Sequence, residues 1–206
     1  MKRSAPTSGR STSAGSSTAN FITGIDLSNA LNTQAWHPEL VISGAFAIDD
    51  DLLAQLANQN SWKYAFGPSL TRYGVALKNT DAQRAYTDSG SSGSPFGLAT
   101  AMWPYFWTMG NMFQMAGPAP TIDAIRTGMF NMPMLGGDPD HPRKKWGLAP
   151  DLFDGGRDAR EVYWCSTATS GRNNRKGAYI GVEGDKRYQY DQMDSTMRIF
   201  PHGTCN

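Results

Sequence analysis

The chain has 206 residues, enough for one ordinary domain or two small lobes. Its formal net charge is +1, so the chain as a whole has no electrostatic attraction toward nucleic acid or an anionic membrane. Two cysteines, Cys165 and Cys205, are too few for a disulfide-dense scaffold or a four-cysteine zinc site. They either pair, as in an exported protein, or remain as two free thiols.

The N-terminal segment predicts a flexible, solvated tail. Residues 1–19 are rich in Ser, Thr, Ala and Gly, with three basic residues and no apolar core. A complete secretory signal needs an apolar run of at least about seven residues, which this segment does not contain.

From Asn20 onward, helix-like stretches alternate with short apolar runs, a pattern typical of an α/β protein. Residues 25–35 predict an amphipathic helix that ends before Pro38, and residues 40–42 predict a short buried strand. Three acids at residues 49–51 precede leucines at helical spacing and predict the start of a second helix. Capping is favoured over a metal site here, because adjacent helical residues point in different directions.

The middle of the chain is defined by a run without any charged or His residue, from Ser89 to Ile122. Residues 80–87, before this run, predict a helix capped by Thr80, and Thr121 opens another. The uncharged run itself predicts a long helix, dense in Met and aromatics, that ends at Gly117. Its length suits a bilayer, but polar interruptions and the lack of a basic flank favour a buried or half-buried helix without membrane insertion.

The last third of the sequence predicts strands. Residues 62–66, earlier in the chain, form a comparable short apolar run, residues 146–148 predict an edge strand, and residues 161–165 alternate with period two. A basic loop at residues 172–176 precedes another apolar run. This loop lacks interleaved aromatics, so it predicts a solvated turn rather than a nucleic-acid patch.

Catalytic motifs are absent from the sequence. It has no nucleophile elbow, no phosphate-cradling loop and no paired-His zinc motif. The three histidines, His37, His141 and His202, each stand beside a proline and none has a second His at ligand spacing. The sequence therefore predicts a protein that is not an enzyme and needs no cofactor or metal.

Five motifs occur in an order that resembles a known family. They are WHPELVISG (36–44), WKYAFG (62–67), QMAGP (114–118) followed by Thr121, DAREVYW (158–164) and KGAY (176–179). Together they resemble the C-terminal half of type I periplasmic solute-binding proteins of ABC transporters, in the branch related to branched-chain amino acid receptors. The resemblance covers about residues 20 to 190.

The resemblance implies a Rossmann-like α/β fold of two lobes, of which this chain is expected to hold an incomplete version. Residues 1–19 would be the tail, residues 20–95 a second-lobe segment, residues 96–155 a return to the first lobe, and residues 156–206 a hinge crossing with the C-terminal strands. The expected partners are a small solute and, for a full-length protein, the transporter permease. The expected location is extracytoplasmic.

The resemblance also implies candidate ligand contacts. The turn after the strand at residues 40–42 faces the cleft in this family, which makes Gly44, Ala45 and Phe46 candidates. Amino acid receptors carry an acidic residue near this turn, so Ala45 and Phe46 favour a less polar solute. Trp103 and Tyr105, near the expected hinge, are further candidates, with core packing as their alternative role.

Three functions follow from these observations. The first is the substrate-binding component of an ABC importer, which binds a branched-chain amino acid, an amide or a less polar compound between two lobes. The second is a truncated, non-binding remnant of such a protein, because about half of the family's pocket would come from a segment that precedes this sequence. The third is an uncharacterised enzyme whose carboxylates meet from distant segments.

Overall fold

A computed structural model describes residues 21–43, 48–69, 76–93, 95, 97–134, 147–153, 155–189 and 205. These residues form a mixed α/β structure, as the alternating pattern predicted. The helices are α1 (Phe21–Thr33), α2 (Asp51–Ala54), α3 (Gln59–Trp62), α4 (Asp81–Asp88), α5 (Gly97–Ala116) and α6 (Ile122–Phe130). The strands are β1 (Leu40–Val41), β2 (Ala65–Ser69), β3 (Asp158–Thr169), β4 (Lys176–Gly181) and β5 (Tyr188–Gln189).

The five strands form a mixed sheet in the order β1-β2-β3-β4, with β5 paired to the start of β3. Strand β1 runs parallel to β2, whereas β2 and β3, and β3 and β4, run antiparallel. The sheet therefore joins two stretches of chain that are separated in sequence by the three helices α4, α5 and α6. Strand β3 is much longer than the predicted strand at residues 161–165, because it pairs with three different strands.

The hydrophobic core lies where the first three helices meet the sheet. Its larger members come from α1, α3, β1, β3 and β4 and include Leu31, Leu40, Trp62, Val162, Trp164 and Tyr179. Polar side chains connect the helices at its edge: the Ser61 hydroxyl donates to the Ser28 carbonyl at 2.9 Å, and the Ser28 hydroxyl accepts from the Asn58 amide at 2.9 Å. Small hydroxyl residues let α1 and α3 approach closely while their hydrogen bonds remain satisfied.

Two sequence predictions need correction in this region. The apolar run at residues 62–66 is split between α3 and β2, because the Asn58 side chain caps a short helix that includes Trp62. The helix predicted at residues 25–35 begins earlier, at Phe21, and ends at Thr33, beyond which Ala35 has a positive φ of 49°. Both differences arise from local hydrogen bonding that apolar periodicity does not report.

The edge strand predicted at residues 146–148 is also wrong for the described residues Gly147 and Leu148. The Gly147 amide donates to the Gly155 carbonyl at 2.8 Å, and the Gly147 carbonyl accepts from Arg157 Nε at 2.9 Å. Both backbone groups of Gly147 are therefore engaged by a loop rather than by a neighbouring strand. Trp146 lies outside the described residues.

Helices α4, α5 and α6 pack side by side, with α5 in the middle. The predicted caps are confirmed: Thr80 Oγ1 accepts from the Gln83 amide at 3.2 Å, and Thr121 Oγ1 accepts from the Ala124 amide at 3.1 Å. The end of α5 is also confirmed, since Gly117 has a φ of 82° that favours glycine.

One face of α5 is uncovered by the described residues. Met102, Tyr105, Phe106, Met109 and Phe113 are exposed, and at 100° per residue they share an arc of about 100°. The prediction of a buried or half-buried helix does not hold for this stripe, because the described residues cover α5 only from the sides of α4 and α6. No helix among the described residues combines the length and apolarity needed to cross a bilayer.

Candidate functional site

The carboxyl end of the short strand β1 lies beside β2 in a parallel pair. The Leu40 amide donates to the Tyr64 carbonyl at 3.1 Å, and the Ile42 amide donates to the Phe66 carbonyl at 2.7 Å. In α/β sheets, ligands bind in the crevice outside the carboxyl ends of parallel strands. This edge of the sheet is therefore the first candidate site.

Glycine is required where the two strands meet. A Cβ atom on Gly67 would overlap the carbonyl oxygen of Ile42, so a larger residue would push β1 away from β2. The close approach of β1 to β2 therefore explains why the WKYAFG motif has a glycine at position 67.

The candidate contacts Gly44, Ala45 and Phe46 lie outside the described residues. Their described neighbours fix where this segment starts and ends. Ser43 follows the end of β1, and after the segment Ile48 is buried while Asp49 Oδ1 accepts a 2.5 Å hydrogen bond from Ser69 Oγ at the end of β2. Both ends of the segment are therefore attached to the carboxyl edge of the β1–β2 pair.

The aspartates at residues 49–51 have separate partners and do not converge. Asp50 Oδ1 caps α2 by accepting from the Leu52 amide at 2.9 Å, and Asp50 Oδ2 lies 3.4 Å from Arg172 Nη2. Asp51 is buried against β4. Within the described ranges, no group of three or more His, Cys, Asp or Glu side chains is arranged to hold a metal ion.

The structure separates the other two candidate contacts, Trp103 and Tyr105. Tyr105 belongs to the uncovered stripe of α5 and is 69% exposed. Trp103 is half-buried on the side of α5 that faces α4, where it lines a cleft of about 250 Å³. No described contact joins the two side chains, so they do not form one site.

The cleft beside Trp103 is lined by further residues that no sequence motif indicated. Its lining consists of Asp81, Arg84, Ala85 and Asp88 from α4, and Trp103 and Trp107 from α5. Helical spacing was the available signal: the α4 residues recur at i, i+3, i+4 and i+7, and the two tryptophans are four residues apart. What the sequence does not contain is the contact between the two helices.

The two cysteines are brought together by the structure. Cys165, buried on β3, and Cys205 form a disulfide with a Cα–Cα distance of 5.1 Å. Thr167 Oγ1 lies 3.0 Å from Cys205 Sγ. This bond attaches the end of the chain to the central strand of the sheet.

Comparisons of the chain with protein-family models, with curated proteins and with solved structures found no match.

Proposed function

We propose that this chain belongs to the substrate-binding component of an ABC importer, with a type I periplasmic-binding-protein-like fold that holds a small solute between two lobes. The observation that carries the proposal is the β1–β2 edge, where the carboxyl end of β1 lies beside β2 and the segment 44–46 follows in the chain. This is the place where α/β sheets bind ligands, and where the family resemblance expects the contacts.

The sheet pairing gives the proposal further support. Strand β3, from the segment expected to be the C-terminal crossing, pairs with β2 from the expected second-lobe segment, and β4 pairs with β3. A solute bound at the edge of this sheet would favour a closed arrangement of the two lobes, because it contacts both of them. Ala45 and Phe46 supply no charge for an ammonium group, which favours an amide or another weakly polar solute.

Thermal unfolding of the chain against branched-chain amino acids, amides, urea and aromatic acids tests the proposal. A true ligand at 100 times its Kd stabilises the folded chain by about 2.7 kcal/mol and raises the Tm. Phe46→Ala should remove the shift, whereas Phe153→Ala, at an exposed aromatic outside this edge, should retain it. A panel in which no compound raises the Tm contradicts the proposal.

A second candidate, a non-binding remnant of the same family, is favoured by the uncovered stripe on α5. In the resembling proteins this helix would bury itself against a first-lobe sheet, whereas the described residues of this chain leave the five large apolar side chains of the stripe exposed. This candidate predicts strong binding of a hydrophobic dye, reduced by Phe106→Glu, together with no response to any solute. A chain that unfolds cooperatively and does not increase the fluorescence of the dye would argue against the non-binding remnant.

A further inference from the structure

The cleft between α4 and α5 combines two indole rings with a net negative charge. Trp103 and Trp107 stand four residues apart on α5 and both line the cleft. Across from them, Arg84 Nη2 pairs with Asp81 Oδ1 at 2.5 Å, so these two charges offset each other. Asp88 makes no ion pair among the described residues, which leaves its carboxylate as the uncompensated charge of the cleft.

Asp88 occupies an unfavourable position for a carboxylate. It is the last residue of α4, at the negative end of the helix dipole, and the last turn of this helix contains no basic residue. A cation bound in the cleft would interact favourably with both the helix end and Asp88. The position of Asp88 thus points independently to a positively charged occupant.

The indole groups of the cleft differ from those of the core. Trp62 Nε1 donates to Tyr179 Oη at 3.2 Å and Trp164 Nε1 donates to Gln59 Oε1 at 2.7 Å, so both core rings are committed to packing. The structure shows no hydrogen-bond partner for the indoles of Trp103 and Trp107 among the described residues, and Trp107 is 38% exposed. Indole faces attract cations within about 6 Å of the ring centroid, most strongly among the aromatic side chains.

We infer that the α4–α5 cleft binds a small organic cation, of the quaternary ammonium class, between the two tryptophans and Asp88. Such an ion is weakly hydrated, so it suits an apolar aromatic wall better than a metal ion does. The volume of about 250 Å³ is below the roughly 300–1,000 Å³ of clefts for drug-sized ligands and fits a compact head group. The inference does not rest on the proposed function, because the described residues that line this cleft come from α4 and α5 and not from β1 or β2.

Choline is the probe for this inference, with 3,3-dimethyl-1-butanol as its neutral counterpart of the same shape. Each is titrated into the ¹⁵N-labelled full chain at constant ionic strength, and the indole N–H resonances are followed. The resonances of Trp103 and Trp107, assigned with Trp→Phe variants, should shift saturably with choline at a Kd on the order of millimolar. Those of Trp62 and Trp164 should stay in place and serve as internal references.

Matched variants separate the contribution of the Asp88 charge to choline binding from that of the Trp107 indole ring. Asp88→Asn should weaken choline binding by roughly three- to tenfold, whereas Asp123→Asn on α6 should leave it unchanged. Trp107→Leu should abolish saturable binding, while Trp36→Leu, at an exposed ring outside the cleft, should retain it. If Trp107→Leu fails to fold, the isosteric Asp88→Asn comparison still decides.

Two results overturn the inference: no shift of the cleft resonances by choline at 50-fold excess over about 1 mM, or equal shifts with the neutral alcohol. Failure here leaves the solute-binding proposal intact, since that proposal depends on Phe46 and on a different panel of compounds. Conversely, choline binding that survives Phe46→Ala supports a separate cation site.

Discussion

Three consecutive aspartates show how differently neighbouring side chains are used. Asp49 and Asp50 accept hydrogen bonds from Ser69 and from the first turn of α2. Asp51 is 1% exposed and accepts from Ser170 Oγ at 2.5 Å and from the Tyr179 amide at 2.9 Å. Burial raises the pKa of the Asp51 carboxyl, although these two hydrogen bonds act in the opposite direction. Asp51 therefore connects α2 to the β3–β4 hairpin, which is a structural role.

Replacing Asp51 by Ala should destabilise the chain by about 2–4 kcal/mol, because a buried hydroxyl and a buried amide lose their acceptor. Asp50→Ala removes a helix cap and a long ion pair with Arg172, and should cost about 1–2 kcal/mol. Urea unfolding of both variants at neutral pH measures the difference. Equal losses for the two variants would show that the Asp51 hydrogen bonds do not form in solution.

Glu161 is a second carboxyl in an unusual position. It lies on β3 opposite Pro68 of β2, which has no amide hydrogen to donate, and its Oε1 is buried without a hydrogen-bond partner among the described residues. Burial, with a smaller contribution from the nearby Glu183 charge, raises the pKa of Glu161 to about 7. The neutral form is therefore favoured in the folded chain more than in the unfolded one.

Glu161→Gln should flatten the pH dependence of stability. A carboxyl with a raised pKa contributes its full stability below the ordinary pKa of 4.5, and loses it as the pH rises to about 7. The variant should therefore match the wild type near pH 4 and exceed it at pH 8 by about 1–2 kcal/mol, allowing for solvent screening of a partly exposed group. Thermal unfolding across pH 4–8 tests this, with Glu39→Gln as the exposed control. A wild-type Tm that does not fall through this window would contradict it.

At the scale of elements, local signals were enough to predict several boundaries. Thr80 and Thr121 cap their helices because a hydroxyl satisfies amides within the next three residues, and Gly117 ends α5 through its own φ. Trp62 was grouped with residues 63–66 in one apolar run, because an apolar ring suits a strand and a helix equally. Its position in α3 depends on the Asn58 cap and on its bond to Tyr179, which lies far away in sequence.

For the candidate site residues too, local sequence selected individual side chains but did not predict which of them lie together. Their position near the expected hinge selected Trp103 and Tyr105 together, but the helix directs them to nearly opposite sides of α5. Residues 80–87 were predicted only as a helix capped by Thr80, and the packing of α4 against α5 is what places Asp88 beside the two tryptophans. Contacts between helices depend on the whole arrangement, so spacing within one helix could not predict them.

Two helical glycines provide a matched test of how α5 and α6 pack. A Cβ on Gly128 of α6 would lie 2.8 Å from the Ala116 amide nitrogen, whereas a Cβ on Gly110 of α5 would meet nothing within 4 Å. Gly128→Ala should therefore destabilise the chain by about 1–3 kcal/mol. Gly110→Ala should stabilise it by about 0.5–1 kcal/mol, since alanine is the better helix former. Chemical denaturation measures the change in the free energy of unfolding for each variant. A stabilising effect of Gly128→Ala would rule out this contact between α5 and α6.

The whole molecule is organised by pairings between residues far apart in sequence. Strand β2 pairs with β3, although α4, α5 and α6 lie between them in the sequence. The long strand β3 is the centre of the sheet. Alternation of apolar runs predicted the α/β class, but strand order and direction depend on these distant contacts. The uncovered stripe of α5 arises at the same scale, since the described residues supply α5 with neighbours on two sides only.

The Cys165–Cys205 disulfide is the longest-range covalent constraint on this arrangement, with a sequence separation of 40. Closing a loop of this length in the unfolded chain should contribute about 4 kcal/mol to the free energy of unfolding. Cys205→Ser should therefore lower the urea midpoint strongly, and a reducing agent should lower the midpoint of the wild type to the same value. The variant itself should not respond to the reducing agent, which separates loss of the bond from any other effect of reduction. A wild-type midpoint that is unchanged by reduction would show that the chain is stable without this bond.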